Sequence, residues 1–524
     1  MRQIEVLDCT LRDGGYINDF SFTNKGIKKI IQQLTESNIE VIECGFLEDG
    51  EYDPECSVYD TVERITPFIP KNRNHTLYVA MACFGEFSLK NLSDFDGSSI
   101  DGIRVSFHYN EVEGALNFCK QIISKGYKLF VQPIGTTSYT DEMLIHLIES
   151  VNQLSPYAFY LVDTLGLMQQ ADLSKYFHLI DSHLSKSVKM GFHSHNNLQL
   201  SFSNCQYLVN SDSDRSIILD ASVNGMGRGA GNLNTELITN YINAQLGRKY
   251  EIVPLLEIVD EFIGKIKKNH EWGYSVPYYL AAINGCHPNY ASYLSKKQTL
   301  NVQSIAKILR MIEPEKRSLF SQALAEQKYR EFQSHEIDDS ACINLLRNKI
   351  RGRNVMLIAP GPSLKLYQRQ IIECATEHEC ITISVSFVPE FMDCDYTFLC
   401  NLKRLHTTFN PTHKPVNLIC TSNISVTNET ALIVNYSSLL NEIDIIIDNT
   451  SIMLLNLLCR LSPSIVFLAG LDGYSANKAN YYLNRLELPT EVNQIEALNS
   501  AMTTRIHELK RHLDLHFITP SEYE

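Results

Sequence analysis

Eight short β-branched runs recur through the first 290 or so residues, and each one leads into a polar or Gly-rich turn and then an amphipathic stretch. The runs are Ile4–Cys9, Val41–Cys44, Leu77–Ala82, Ile103–Phe107, Leu129–Gln132, Phe159–Val162, Val188–His195 and Ile217–Val223. Between them lie segments with helical spacing, such as Ile27, Ile30, Ile31 and Leu34, one face of a 3.6-residue period. Strands that alternate with helices point to a parallel sheet, because each crossover returns the chain to the end where the previous strand began. Eight such units over some 230 residues fit a (β/α)8 barrel in count and length. A doubly wound open sheet is the rival arrangement.

From Pro254 to Arg347 the pattern turns helical; this stretch holds the only Trp, Trp272, and a Tyr/His/Pro-rich segment, Tyr274–Tyr293. Alternation resumes at Val355 with Val355–Ile358, Ile381–Val385, Tyr396–Leu399, Asn417–Cys420, Leu432–Val434, Ile443–Ile447 and Ile465–Ala469. These are too few for a second barrel, so an open α/β sheet is expected. The chain is therefore read as α/β in class. Residues 1–253 form a TIM barrel, and 254–346 a helical extension that completes the active site or forms an assembly surface. Residues 347–524 form a smaller Rossmann-like domain.

The net charge of −14 argues against a general nucleic-acid binder, which needs a basic surface. From Arg347 onward fifteen basic residues face eighteen acidic ones, so most of the negative charge belongs to the first part of the chain. No apolar run reaches the length of a membrane span. The polar-alternating start is unlike a signal peptide, and a cytoplasmic location is expected. The fourteen Cys lack C-x-x-C pairing and read as free thiols.

Barrel chemistry sits at the carboxyl ends of the strands, and three polar clusters fall there. Thr10-Leu11-Arg12-Asp13-Gly14-Gly15-Tyr16 follows strand 1; alone, it reads as an Arg–Asp pair in a turn. Gly191-Phe192-His193-Ser194-His195-Asn196-Asn197 ends strand 7. There the period of two puts His193 and His195 on one face, an arrangement that suits a divalent metal if a carboxylate joins from another strand. Asp220 to Asn232, with four glycines, follows strand 8 and reads as a flexible loop or a phosphate cradle. Closure makes strands 1, 7 and 8 neighbours, which would bring Asp13, His193, His195 and the Gly-rich loop together.

These three motifs, in this order, resemble the aldolase/metallolyase TIM barrels. That superfamily includes 4-hydroxy-2-oxovalerate aldolase, 3-hydroxy-3-methylglutaryl-CoA lyase, and the isopropylmalate and homocitrate synthases. The resemblance covers about residues 1–295. It implies that Asp13, His193 and His195 bind a divalent metal, Mn2+ or Mg2+, with Asn232 at the position of a further ligand, and that Arg12 holds the developing enolate oxygen. His193-Ser-His-Asn-Asn197 is closer to the oxovalerate aldolases than to the acyl-CoA Claisen synthases, which more often carry Asp where Asn197 stands. The expected activity is metal-dependent cleavage or formation of a 4-hydroxy-2-oxo acid through a pyruvate enolate. The substrates are a 2-oxo acid and an aldehyde, and the protein is expected to be a homo-oligomer. No Lys stands in an obvious Schiff-base position, which favours the metal route over an imine.

One position departs from that pattern. The aldolases carry a His as base three residues after the metal Asp, and here it is Tyr16. Its phenol is a poor base near neutrality, so either Arg12 and the metal activate it or another group acts, with His287 and Tyr290 as candidates. In the second domain, Gly361-Pro362-Ser363 after a strand and Asp472 after another resemble the nucleotide-sugar-binding domains of certain bacterial sialyltransferases and motility-associated glycosylation proteins. That implies a nucleotide-sugar site and a role in glycan-precursor metabolism. The alternatives are a Claisen-type acyl-CoA synthase or lyase on the same barrel, a non-haem iron oxygenase, and a non-catalytic barrel fused to a glycosyltransferase-like domain.

Overall fold

The structure is a computed structural model that describes residues 3–248, 250–297, 299–408, 417–424, 431–476, 479–483, 486 and 494–524. Two compact units divide the chain: Met1–Ser292 with Glu313–Phe320, and Tyr293–Ile312 with Ser321–Glu524. Among the described residues no helix is long and apolar enough to cross a membrane.

The first unit is a closed barrel of eight parallel strands. They are β1 (Ile4–Asp8), β2 (Val41–Leu47), β3 (Leu77–Cys83), β4 (Gly102–Phe107), β5 (Lys128–Pro133), β6 (Ala158–Asp163), β7 (Lys189–Ser194) and β8 (Ile217–Ala221). β8 pairs with β1 from Ile4↔Ile217 to Asp8↔Ala221, and β1 pairs with β2 at Leu7↔Val41, which closes the ring. The open-sheet rival is thereby excluded. A two-residue strand, Val58–Tyr59, lies beside the end of β2, where the register against β3 slips between Glu43 and Phe46. Such a slip bends a strand and re-aims its side chains.

The period of two sorts each strand into an inner and an outer face. Leu7, Val41, Val79, Phe130, Tyr160 and Ile218 cluster inside the barrel. Their sequence neighbours Val6, Ile42, Ala80, Leu129, Leu161 and Leu219 join the larger core shared with the surrounding helices. Helix Asn24–Glu36 shows how that layer forms: its buried Ile27, Ile30, Ile31 and Leu34 line one face, and the Thr23 side chain caps its start. Stepping two residues on from the inner apolar layer gives Glu43, Gln132 and Asp220, and the same phase selects Arg104 and His193. All five are buried. The barrel is thus apolar below and ionic above, with its polar end at the strand carboxyl termini.

The second unit holds a seven-stranded parallel sheet: β9 (Val355–Ile358), β10 (Ile381–Val385), β11 (Tyr396–Leu399), β12 (Leu418–Thr421), β13 (Leu432–Val434), β14 (Val466–Ala469) and β15 (Leu515–Phe517). The order β13-β12-β11-β10-β9-β14-β15 reverses direction between β9 and β14, as in doubly wound folds. Helix Thr450–Leu461 packs its buried leucines against this sheet's core. One expected strand is corrected. Within Ile443–Ile447 the chain makes a 3-10 turn at Asp444–Ile446. The Asn441 side chain accepts from Ile443 N–H at 2.9 Å and donates to the carbonyls of Ile446 and Ile447 at 2.6 and 3.1 Å. These local bonds satisfy the backbone without a sheet partner.

Candidate active site

β1 ends in a tight turn that reverses at Cys9, whose carbonyl accepts from the N–H groups of Arg12 and Asp13. Both side chains are thereby turned into the barrel mouth and buried. Arg12 Nη1 donates to Asp13 Oδ1 at 2.7 Å, and Arg12 Nε to Glu43 Oε2 at 2.8 Å. Glu43 Oε2 is also ion-paired with Arg104 Nη1 at 2.8 Å. Arg104 reaches Asp220, which accepts from His193 Nδ1 at 2.9 Å. An unbroken line of contacts therefore crosses the barrel from Asp13 to His193. Tyr160 supports it from below, its ring 4.7 Å from the Arg104 guanidinium carbon. Gly191 on β7 makes room for that ring, since a Cβ there would come within 2.3 Å of it.

The expected ligands meet at the end of this line. One ligand atom each of Asp13, His193 and His195 lies within 4.8 Å of the others, all three residues buried. The Nδ1 atoms of the imidazoles face fixed acceptors, Asp220 Oδ2 for His193 and the Asp163 carbonyl at 3.2 Å for His195. A ring nitrogen that donates leaves the other as a lone pair. Both Nε2 atoms are therefore turned toward Asp13 Oδ2, at 4.0 and 3.5 Å. Burial lowers His193 to about 4, so it is neutral near pH 7 and fit to ligate. Burial works against a charged Asp13, but the Arg12 guanidinium beside it prevails and holds its carboxyl well below the usual range. Asp220 is lowered in the same way, by Arg104 and His193 against burial.

Asn232 adds a fourth group. Its Nδ2 donates to Asp13 Oδ2 at 2.6 Å, while its Oδ1 is buried with no hydrogen-bond partner. An orphaned acceptor beside two imidazole lone pairs and a carboxylate suits a divalent cation. Charge agrees: two guanidiniums face three carboxylates along the line, so the site carries no surplus positive charge to repel one. The residues present therefore fit a metal. Arg12 Nη2 is likewise buried and without a partner.

The remaining candidates fall differently. Tyr16 is a third exposed, at 37 %, and sits edge-on to Phe20 and Phe46. Burial raises its hydroxyl to about 12 despite Arg228 and Arg12, so activation by Arg12 does not make it a base at neutral pH. Burial, with Arg228 and His195 adding to it, lowers His287 to about 4. Its Nδ1 accepts from Asn289 N–H at 3.2 Å, which leaves Nε2–H as a donor. Tyr290 is fully buried and donates to the carbonyls of Lys316 and Leu319, so its hydroxyl braces the segment after the barrel. Glu43, Arg104 and Asp163 are site residues that motif reading missed. Each is a charged residue in or at the end of a β-branched run; for Glu43 and Arg104 the phase with the inner apolar positions is the available signal, whereas Asp163 is out of that phase and meets His195 through its backbone carbonyl.

In the second unit, Gly361 approaches Gly470 so closely that a Cβ would lie 2.3 Å from its carbonyl oxygen. Pro362 carries the turn into Ser363. There the N–H and the hydroxyl both bond to the Asp472 carboxylate, the former at 2.6 Å. The donors expected to face a phosphate are thus engaged by the protein's own anion.

Residues 3–259 match the HMGL-like family model. The oxaloacetate decarboxylase of Mycobacterium tuberculosis is 25% identical over 241 residues, 45% of this chain and 69% of that protein. The 4-hydroxy-2-oxovalerate aldolase of Chloroflexus aggregans is 26% identical over 254 residues, 45% of this chain and 68% of the aldolase. That of Geobacillus genomosp. 3 is 25% identical over 248 residues, with 45% and 69% covered.

Proposed function

Taking residues 3–259 as an HMGL-like domain, we propose that the barrel is a divalent-metal-dependent carbon–carbon lyase of pyruvate aldolase type. It forms or cleaves a 4-hydroxy-2-oxo acid through a pyruvate enolate. The observation that carries this reading is the Asp13, His193 and His195 cluster with both Nε2 lone pairs turned inward, beside an Arg12 N–H group that the protein leaves unused. Asp13, His193, His195 and Asn232 would hold Mn2+ or Mg2+. Such a cation supplies Lewis acidity and a template for the 2-oxo group and carboxylate of pyruvate.

The side chains account for the rest. Arg12 is locked by Asp13 and Glu43 at two of its nitrogens, and Nη2 remains to donate to the oxygen on which enolate charge develops. A preorganised donor in a buried site stabilises that charge without reorganisation. Tyr16, held protonated, suits proton delivery to the oxygen of an acceptor aldehyde as the new bond forms. The fixed tautomers of His193 and His195 keep protons off the ligating nitrogens. An oxaloacetate decarboxylase would pass through the same enolate, so the two kinds of relative share the chemistry assigned to Arg12. The glycan-precursor role suggested for the second unit takes no part in this reading, because the Ser363 donors are spent on Asp472.

Pyruvate in D2O tests the enolate step without any acceptor. The protein with Mn2+ or Mg2+ is expected to exchange the methyl protons for deuterium, read by mass spectrometry. Excess EDTA should stop the exchange, and added metal should restore it. Exchange that persists in EDTA overturns the metal dependence, and none with any divalent metal overturns the lyase reading.

A further inference from the structure

Arg228 stands at the mouth of the barrel on a loop whose path is fixed from several sides. The preceding residue, Gly227, lies so close to the site that a Cβ would come within 2.5 Å of Asn232 Nδ2 and 3.3 Å of Asp13 Oδ2. The following residue, Gly229, lies under Pro288, 3.2 Å from where its own Cβ would be. Ala230 N–H donates to Asn197 Oδ1 at 2.9 Å, and Gly231 N–H to the Arg228 carbonyl at 3.1 Å. Trp272 Nε1 clamps the start of the loop at Asn224 O, 3.1 Å away.

The Arg228 side chain is half-buried, with its guanidinium carbon 3.9 Å from the centre of the Tyr16 ring. Stacking of that kind fixes the plane and leaves the N–H edge available. Arg12, Arg104 and Arg215 each meet a carboxylate. Arg228 meets none within 4.0 Å among the described residues. Tyr16, whose ring it stacks on, and His287, close enough to feel its charge, each carry a hydrogen-bond donor, the hydroxyl and Nε2–H, the latter defined by the bond that Nδ1 accepts from Asn289. A fixed, partly desolvated cation with neutral donors and no counter-ion is an anion receptor.

We propose that Arg228 pairs with an anionic group on the acceptor aldehyde, a carboxylate or a phosphate monoester borne away from the reacting carbonyl. The inference rests on the lyase reading above and adds the substrate class to it. In the addition, the enolate carbon bonds to the aldehyde carbon, and the aldehyde oxygen takes the electron pair and a proton. The distal anion keeps its charge throughout and serves to hold the acceptor over the enolate.

The test compares three acceptors with pyruvate and metal: propanal, succinic semialdehyde and glycolaldehyde phosphate. Deuterium exchange into pyruvate is measured on the same preparations. At least one anionic acceptor is expected to exceed propanal in kcat/KM by about 10- to 100-fold, the range of a charge-assisted pair. Arg228→Gln should collapse that ratio through KM, and Arg228→Lys should retain part of it. A preference for only one anionic acceptor identifies carboxylate or phosphate as the group. Normal exchange with equal use of all three acceptors overturns the proposal, as does a ratio that survives Arg228→Gln. Absence of exchange removes the lyase reading itself, which separates the two failures.

Discussion

Asp220 links the two halves of the site, since its Oδ2 accepts from His193 and also receives Arg104. Asp220→Asn keeps an oxygen acceptor of similar shape but removes the charge. His193 then loses the anion that raises its basicity as a ligand, and Arg104 keeps only Glu43. Changes to the group that orients a metal-binding imidazole typically weaken metal binding by about 10- to 100-fold. A loss in that range is expected for Mn2+, read as free ion by electron paramagnetic resonance at fixed total metal. Breaking a buried ion pair also costs about 3–5 kcal/mol of stability, so thermal unfolding should drop in the same variant. Unchanged Mn2+ affinity would show that His193 does not ligate through Nε2.

The elements explain which parts of this site were legible in the sequence. Strands 1, 7 and 8 announced themselves because polar motifs followed β-branched runs, and closure of the ring brought Asp13, His193, His195 and Asn232 together as that order requires. Glu43 and Arg104 were hidden by the same rhythm: within Val41–Leu47 and Gly102–Phe107 they look like breaks in an apolar run. Only the phase of the inner face, known once Leu7, Phe130 and Ile218 are seen to share a cluster, shows that they point inward. In the second unit Leu515–Phe517 escaped notice because it is short and interrupted by the exposed His516. The Gly-rich element after β8 is closely packed against its surroundings. Gly231 adopts φ +80°, and a Cβ there would stand 2.0 Å from the Gly225 carbonyl oxygen. Gly231→Ala must therefore displace the loop and the Asn232 that follows it. Loss of metal binding and of several degrees in Tm is expected. Gly247 also has a left-handed φ, +63°, but nothing lies within 4 Å of its Cβ position. Gly247→Ala should cost only about 1–2 kcal/mol, the strain of that conformation, with metal binding retained. Equal effects from the two variants would mean that packing of the loop does not matter.

At the scale of the whole molecule, each unit buries its own core, one inside and around the barrel and another about the seven-stranded sheet. Unfolding of a chain with two such cores is not expected to be a single two-state event. The candidate ligands all belong to the first unit, so metal is linked to the stability of that unit alone. A ligand at 100 times its Kd stabilises the state that binds it by about 2.7 kcal/mol. For a unit of this size, with about 2–4 °C per kcal/mol in domains of 150–250 residues, that amounts to roughly 5–10 °C. Charge works in the same direction, because most of the −14 lies before Arg347, and a divalent cation bound there reduces repulsion within the acidic part. Scanning calorimetry should resolve two transitions, of which saturating Mn2+ raises one and excess EDTA lowers the same one. Asp13→Ala should abolish the shift while leaving the other transition in place. If Mn2+ moved both transitions equally in the wild type and in Asp13→Ala, the stabilisation would come from general screening of a negative chain, and the barrel site would not be its source.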